Sequence, residues 1–233
     1  MNLTQVISLL KANQNESGIQ KWKQRSSRID RLKSLGIGLT VLRKLAKQIG
    51  RDHELALQLW KSDIYDVKII ALLIDEPKKM TWEQAELQVE HLNQGHLVHV
   101  FSSCGTPLAN TPFVVELVSK WVNSKDKIRR SCAYGLLYEI SKSKKKSTPD
   151  DSFFLERIEY IRTSFPSENN AVLGSMGGAL FGMGKRSTRL NTAALEVAKT
   201  IGPIQIESSG SNCEPFDVVK HLTSDYVKEK LGI

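Results

Sequence analysis

Residues 42–81 read LRKLAKQIGRDHELALQLWKSDIYDVKIIALLIDEPKKMT. Leu42, Leu45, Ala46 and Ile49 fall at i, i+3, i+4 and i+7, the recurrence that lays one apolar stripe along an α-helix. Gly50 supplies a stop, and Asp52 stands where it can cap a second helix running through Leu55 and Leu59 to Trp60. Val67, Ile70, Ala71 and Ile74 repeat the spacing, and Pro77 punctuates the loop after them. Thr81 with Gln84 makes a capping box ahead of Trp82, Ala85, Val89 and Leu92. The period-two alternation of a half-buried strand is almost absent.

The same rhythm runs outward in both directions. Leu3, Val6, Ile7 and Leu10 predict an amphipathic first helix; no basic segment and long apolar core mark it as a secretory signal. Thr111 and Pro112 read as an N-cap and first-turn proline leading into Val114, Leu117, Val118 and Trp121. Asp126 caps a helix carrying Cys132, Leu136, Leu137 and Ile140. The run SKSKKKSTPDD at 141–151 then breaks the pattern as a solvated basic loop. Helices follow at about 151–163, 170–183 and 188–201, then the turn-rich GPIQIESSGSNCEPF at 202–216 and short helices near Val218 and Tyr226. Helices of this length on short capped turns predict an all-α fold of antiparallel pairs, stacked as a curved α-solenoid with a concave binding face. An irregular helical bundle is the alternative. One continuous domain over 1–233 is expected, with capping helices at 1–35, repeats at 36–222 and a last helix at 223–233.

Thirty-three basic against 25 acidic side chains give a net charge of +8 and a pI near 9.3. That surplus favours polyanions, nucleic acid first and an anionic membrane second. No apolar run reaches the length of a bilayer span, so a soluble, cytoplasmic monomer with no membrane partner is expected. Cys104, Cys132 and Cys213 are odd in number, far apart and without a CxxC pair, which suits a reducing compartment rather than a disulfide framework.

The basic side chains are grouped. Arg43, Lys44 and Lys47 share the polar side of one helix, and Lys125, Lys127, Arg129 and Arg130 open another. Lys142, Lys144, Lys145 and Lys146 lie beyond the end of that helix, and Lys185, Arg186 and Arg189 occupy a later turn. A solvated face explains each group alone; repeated at helix ends along a curved array, they could track phosphates. His91, His96 and His99 cluster ahead of Cys104, but the spacing matches no standard zinc pattern, and neither a metal nor another cofactor is expected. In GSMGGALFGMG, Gly174, Gly178 and Gly182 fall at i, i+4 and i+8 and would leave one helix face as bare backbone. Tight helix packing is the plain reading, and approach of the backbone to a polyanion the sharper one. No GxSxG elbow or activated cysteine signature is present. Trp22, Trp60, Trp82 and Trp121 read as core or packing residues rather than base-stacking ones.

The run at 42–81 is also similar to the opening of the DNA-alkylation-repair family, whose best-known members are alkylpurine DNA glycosylases built from HEAT-like helix pairs. KIRRSCAYGLLYEI (127–140), MGKRSTRLN (183–191) and AKTIGPIQIE (198–207) extend the likeness in order, so it covers about 42–222. The resemblance implies HEAT-like repeats and a basic concave surface that grips duplex DNA, damaged or branched DNA included. It also implies removal of cationic alkylated purines by a tryptophan-aspartate-x-x-aspartate stretch, a second tryptophan and an arginine, since a carboxylate can stabilise the positive sugar that forms. That stretch aligns with GHLVH, so Gly95 stands at the tryptophan, His96 at the first aspartate and His99 at the catalytic one. Gly178 stands at the second tryptophan, and Arg130 matches the arginine. A neutral histidine offers no charge to an oxocarbenium ion and a protonated one opposes it. No catalytic residue is therefore assigned. The expected DNA contacts are Arg43, Lys47, His96, His99, Arg129, Arg130, Lys185 and Arg186. Two rivals stay open: an active glycosylase with a relocated carboxylate, for which Asp126 or Glu90 are the candidates, and a protein-interaction scaffold.

Overall fold

A computed structural model describes residues 1–24, 32–205 and 214–233. Short polar side chains start most of its helices by accepting backbone N–H groups that the first turn leaves orphaned. Asn2 and Gln5 close a reciprocal box at the head of α1 (Leu3–Ala12). Asp52 opens α4 (His53–Trp60), Asp126 opens α9 (Lys127–Lys142), and Ser187 opens α12 (Thr188–Ile201). Among the described residues there is no β-strand, only isolated bridges between Lys33 and Ile64 and between Ile204 and Phe216.

The chain forms two compact units, Met1–Pro112 and Phe113–Ile233. The first holds α1, α2 (Glu16–Gln24), α3 (Leu39–Ile49), α4, α5 (Tyr65–Ile74), α6 (Trp82–Val89) and α7 (Leu97–Ser102). Its centre is α5, nearly all of which is buried and against which α3, α4 and α7 pack. Two buried carboxylates hold the turns around it. Asp66 accepts from the Ser34 hydroxyl and from the backbone N–H groups of Leu35 and Ile37, which ties the segment before α3 to the first turn of α5. Asp75, at the other end of α5, accepts from Gln84 Nε2 (2.6 Å) and the Glu76 N–H, and lies 2.7 Å from His53 Nδ1. A buried carboxylate is tolerated only with such donors. The capping box expected at Thr81 is thus half formed. Thr81 accepts the Gln84 N–H, but the Gln84 side chain is drawn to Asp75 instead of back to the cap.

The second unit holds α8 (Val114–Trp121), α9, α10 (Asp151–Ser164), α11 (Asn170–Gly184), α12, α13 (Val218–Leu222) and α14 (Asp225–Leu231). Helices joined by short loops pack together, α8 on α9 and α11 on α12, and next-but-one helices stack, α9 on α11 and α10 on α12. That is the neighbour pattern of repeated helix pairs. Helix α8 starts later than Thr111 and Pro112 led us to expect, with Phe113 as its cap. Thr111 closes the short 3-10 turn Pro107–Asn110, its hydroxyl donating to the Leu108 carbonyl.

Helices α9 and α11 run parallel, with Arg130 meeting Glu168 at one end and Tyr138 meeting Gly182 near the other. Gly182 is what lets them approach: a Cβ there would stand 2.7 Å from Tyr138 Cδ2 and from Ser141 Oγ. At Gly174 and Gly178 a Cβ would meet nothing within 4 Å. The glycine series is therefore divided, one member being a packing contact and two lying open. Of the four tryptophans only Trp121 is core; Trp22 lies against Tyr65 and Trp60 beneath the Lys68 ammonium.

Candidate nucleic-acid interface

The eight basic and histidine positions singled out in the sequence fall into separate environments. In the first unit, Arg43 and Lys47 lie one turn apart on α3, Lys47 exposed and Arg43 half-buried, with its Nε lacking a hydrogen-bond partner. His96 and His99 are exposed, but they do not share a helix. His96 is the cap residue ahead of α7, and its N–H donates to the Tyr65 hydroxyl at 3.0 Å. His99 lies inside α7, with Nε2 2.7 Å from the Cys104 sulfur. Cys104 has φ +62, a left-handed conformation that costs a non-glycine residue about 1–2 kcal/mol. Among the described residues, no cluster of three or more His, Cys, Asp and Glu is placed to hold a metal ion. Cys213 lies outside the described residues.

Gly95, immediately before this turn, is held from two sides. Its φ of +55 suits glycine, and a Cβ would stand 2.8–3.0 Å from the Tyr65 ring edge and hydroxyl. Tyr65 is in turn fixed by Trp22, ring centroids 4.4 Å apart, whose indole N–H donates to the Leu32 carbonyl. An indole at position 95 has no room while this aromatic pair is in place.

In the second unit, Arg130 and Arg186 are committed to the protein itself. Arg130 meets Glu168 with two parallel hydrogen bonds, Nε at 2.6 Å and Nη2 at 2.8 Å, and its Nη1 donates to the Ser124 and Lys125 carbonyls. The Glu168 carboxylate beside it raises the guanidinium pKa further. Arg186 donates to Asp151 and to the carbonyls of Ser141, Ser143 and Pro149, so it holds the basic loop at 143–149 onto the end of α9. Arg129 bridges to Asp126 at 3.1 Å. The Asp126 carboxylate also caps α9, so one candidate for a relocated catalytic carboxylate is occupied twice over.

Lys185 differs from its neighbours. It is half-buried at the C-terminal cap of α11, and its ammonium has no hydrogen bond or carboxylate partner among the described residues. Its Nζ lies 3.8 Å over the Phe181 ring and 5.6 Å from the Tyr138 centroid, and Lys142 lies 4.6 Å over Tyr138. Burial, then the charges of Lys230 and Lys142, hold the Lys185 pKa below the ordinary lysine range. Sequence reading picked out the lysines and passed over the rings. The signal was present as two aromatic–lysine pairs at i, i+4, Tyr138 with Lys142 and Phe181 with Lys185.

No helix among the described residues is long and apolar enough to cross a membrane. The chain is 23% identical to an uncharacterised protein of Listeria innocua over 195 residues, 83% of this chain and 84% of that protein. A counterpart from Listeria monocytogenes is 22% identical over the same shares. Among solved structures, the chain superposes with a TM-score of 0.81 at 17% identity on a member of a family described as related to the HEAT-like repeat DNA glycosylases with affinity for branched DNA structures. That match covers 100% of this chain and 97% of the other, and it establishes the all-helical HEAT-like fold. The family described as DNA alkylation repair enzyme matches residues 6–207. This reaches well before residue 42, where the likeness was first legible; Val6 and Leu10 of α1 are fully buried, and α1 packs on α4 and α5. The chain belongs to the DNA alkylation repair enzyme family.

Proposed function

We propose that this chain is a DNA-binding member of its family that holds the nucleic-acid backbone on a basic face, with alkylpurine excision lost or altered. The observation that carries the proposal is the state of the excision stretch. Gly95 is locked against Tyr65 where the family resemblance places a tryptophan, and the exposed imidazoles of His96 and His99 stand where it places carboxylates. Excision needs a negative group beside the sugar; phosphate binding needs donors. The substitutions remove the first and supply the second. Net charge of +8 and the affinity of the structural neighbour for branched DNA support the same reading.

Arg43, Lys47, His96 and Lys185 are the side chains we assign to the backbone, because no ion pair among the described residues holds them, and exposed His99 joins them by its place one turn from His96. Arg129, Arg130 and Arg186 act behind them by holding helix ends in place. The test is binding to intact, abasic and branched duplexes across a salt series, beside a base-release assay on alkylated DNA. The reading expects log K to fall linearly with log salt by about 0.9 per neutralised phosphate, and the slope to flatten by about one unit in Lys47→Ala. Negligible affinity at low salt overturns it and favours a protein-interaction scaffold. Release of 3-methyladenine or 7-methylguanine, abolished by changing one carboxylate, overturns the loss of excision.

A further inference from the structure

The C-terminal ends of α9 and α11 present a surface of which the duplex-gripping reading uses Lys185 alone. Because Gly182 brings these parallel helices together, their last turns lie side by side, and each ends in an aromatic–lysine pair. Tyr138 and Phe181 are half-exposed rings, and His221 lies 5.4 Å from Phe181. Cations at helix C-termini are ordinarily explained by the helix dipole. Lys142 fits that account, since it pairs with Glu139 at 2.7 Å. Lys185 does not, since its ammonium rests on a ring face with no acceptor, near two other lysines. A half-buried ammonium in that setting lacks an anion.

The same helix face continues toward the N-terminus of α11 through Gly178 and Gly174. These lie three and seven residues before Phe181 and so stay on its side of the helix. A Cβ at either would meet nothing within 4 Å, so a flat strip of open backbone adjoins the aromatic–lysine group. Rings for stacking, a flat strip beside them and cations for phosphate are the components of a site for unpaired nucleotides.

We propose that the end of the α9–α11 pair, formed by Tyr138, Lys142, Phe181 and Lys185 with the open strip at Gly174 and Gly178, binds an unpaired nucleotide of a DNA strand. Phosphate takes the Lys185 ammonium, with Lys142, held by Glu139, beside it, and the base lies against Phe181 and the glycine strip. The proposal rests on the DNA-binding reading and assigns it a preference, because a paired base cannot stack there.

The experiment measures affinity of the wild-type chain, Phe181→Leu, Lys185→Gln and Gly178→Leu for three labelled DNAs. These are a blunt duplex, a forked duplex with unpaired arms and a single-stranded dT oligonucleotide, with thermal unfolding of every variant as a fold control. The site predicts that the wild type prefers the forked to the blunt duplex. It also predicts that Phe181→Leu weakens forked and dT binding about fivefold or more while leaving blunt binding within about twofold. Gly178→Leu, which fills the open strip without displacing a neighbour at Cβ, produces the same selective loss. Lys185→Gln weakens forked binding more than blunt binding. Wild-type binding that the variants leave unchanged, or weaken equally on blunt and forked DNA, overturns the site and leaves the DNA-binding reading standing. Absence of wild-type binding to all three DNAs overturns both.

Discussion

Replacing Arg130 with alanine separates a residue that touches DNA from one that supports the fold. Its partner Glu168 has a side chain only 6% exposed, and Arg130 itself is 19% exposed. Truncation leaves that carboxylate without the two short bonds it now receives, and releases the Ser124 and Lys125 carbonyls. Breaking a buried pair from one side costs about 3–5 kcal/mol, because the remaining charge is stranded in a poorly solvated site. Partial access of water places Arg130→Ala at the lower end, about 3 kcal/mol. For a chain of this size that is a fall in Tm of roughly 6–12 °C. Urea unfolding followed by circular dichroism measures the loss, with Arg130→Met, Glu168→Met and the double variant Arg130→Met/Glu168→Met forming a cycle beside it. The double variant is expected within about 1 kcal/mol of the wild type, since it removes both charges together. An Arg130→Ala protein with unchanged stability, or a double variant as unstable as the single one, refutes the argument. So does a stable Arg130→Ala protein with a flatter salt slope for DNA, which would return the side chain to the interface.

Other substitutions follow from the same geometry. Gly178→Ala is expected to stabilise by about 0.5–1 kcal/mol through helix propensity alone, because its methyl meets open space. Gly182→Ala, one turn along, is expected to destabilise by about 1–3 kcal/mol, because its methyl falls on Tyr138 and Ser141; equal effects in urea unfolding would contradict this. Gly95→Ala combines a left-handed backbone cost of about 1–2 kcal/mol with a clash on Tyr65, and should lower Tm more than Gly232→Ala, whose left-handed glycine meets no neighbour and loses only the backbone part. Lys68 is buried against the Trp60 carbonyl and ring, and burial lowers its pKa below 10.5. The unfolded chain therefore binds more protons between the folded-state pKa and 10.5, so the penalty present at neutral pH fades as pH rises through that window. Measured from pH 7 to 10.5, the stability of the wild type relative to Lys68→Met should rise; a constant difference would remove burial of the charge as the cause.

What the sequence made legible was local. Asp52 and Asp126 cap their helices as read, because a cap needs only its own first turn. Thr111 and Gln84 departed from expectation because groups outside the helix each was expected to cap compete for them, a 3-10 turn in one case and Asp75 in the other. The candidate site was harder for the same reason. Nothing within a helical window says that Arg130 is matched by a carboxylate 38 residues on, or Arg186 by one 35 residues back. Those ion pairs decide which cations are left for a ligand. The glycines at 178 and 182 look alike in the sequence and differ only in what the neighbouring helix brings to them.

The contact between Gly95 and Tyr65 bears on how an excision site could be engineered into this chain. Tryptophan introduced at position 95 alone meets the Tyr65 ring and a backbone angle that suits glycine. Removing Tyr65 first withdraws the support of Trp22 and the acceptor of the His96 N–H. Each single step is thus a loss, and only a combined replacement of the aromatic pair, the turn and the two histidines is a route forward. The order of changes matters as much as their identity: position 95 is closed to one-at-a-time exploration, and a library that opens it varies residues 22, 65, 95, 96 and 99 together, with Gly178, where a Cβ meets open space, left to a later step.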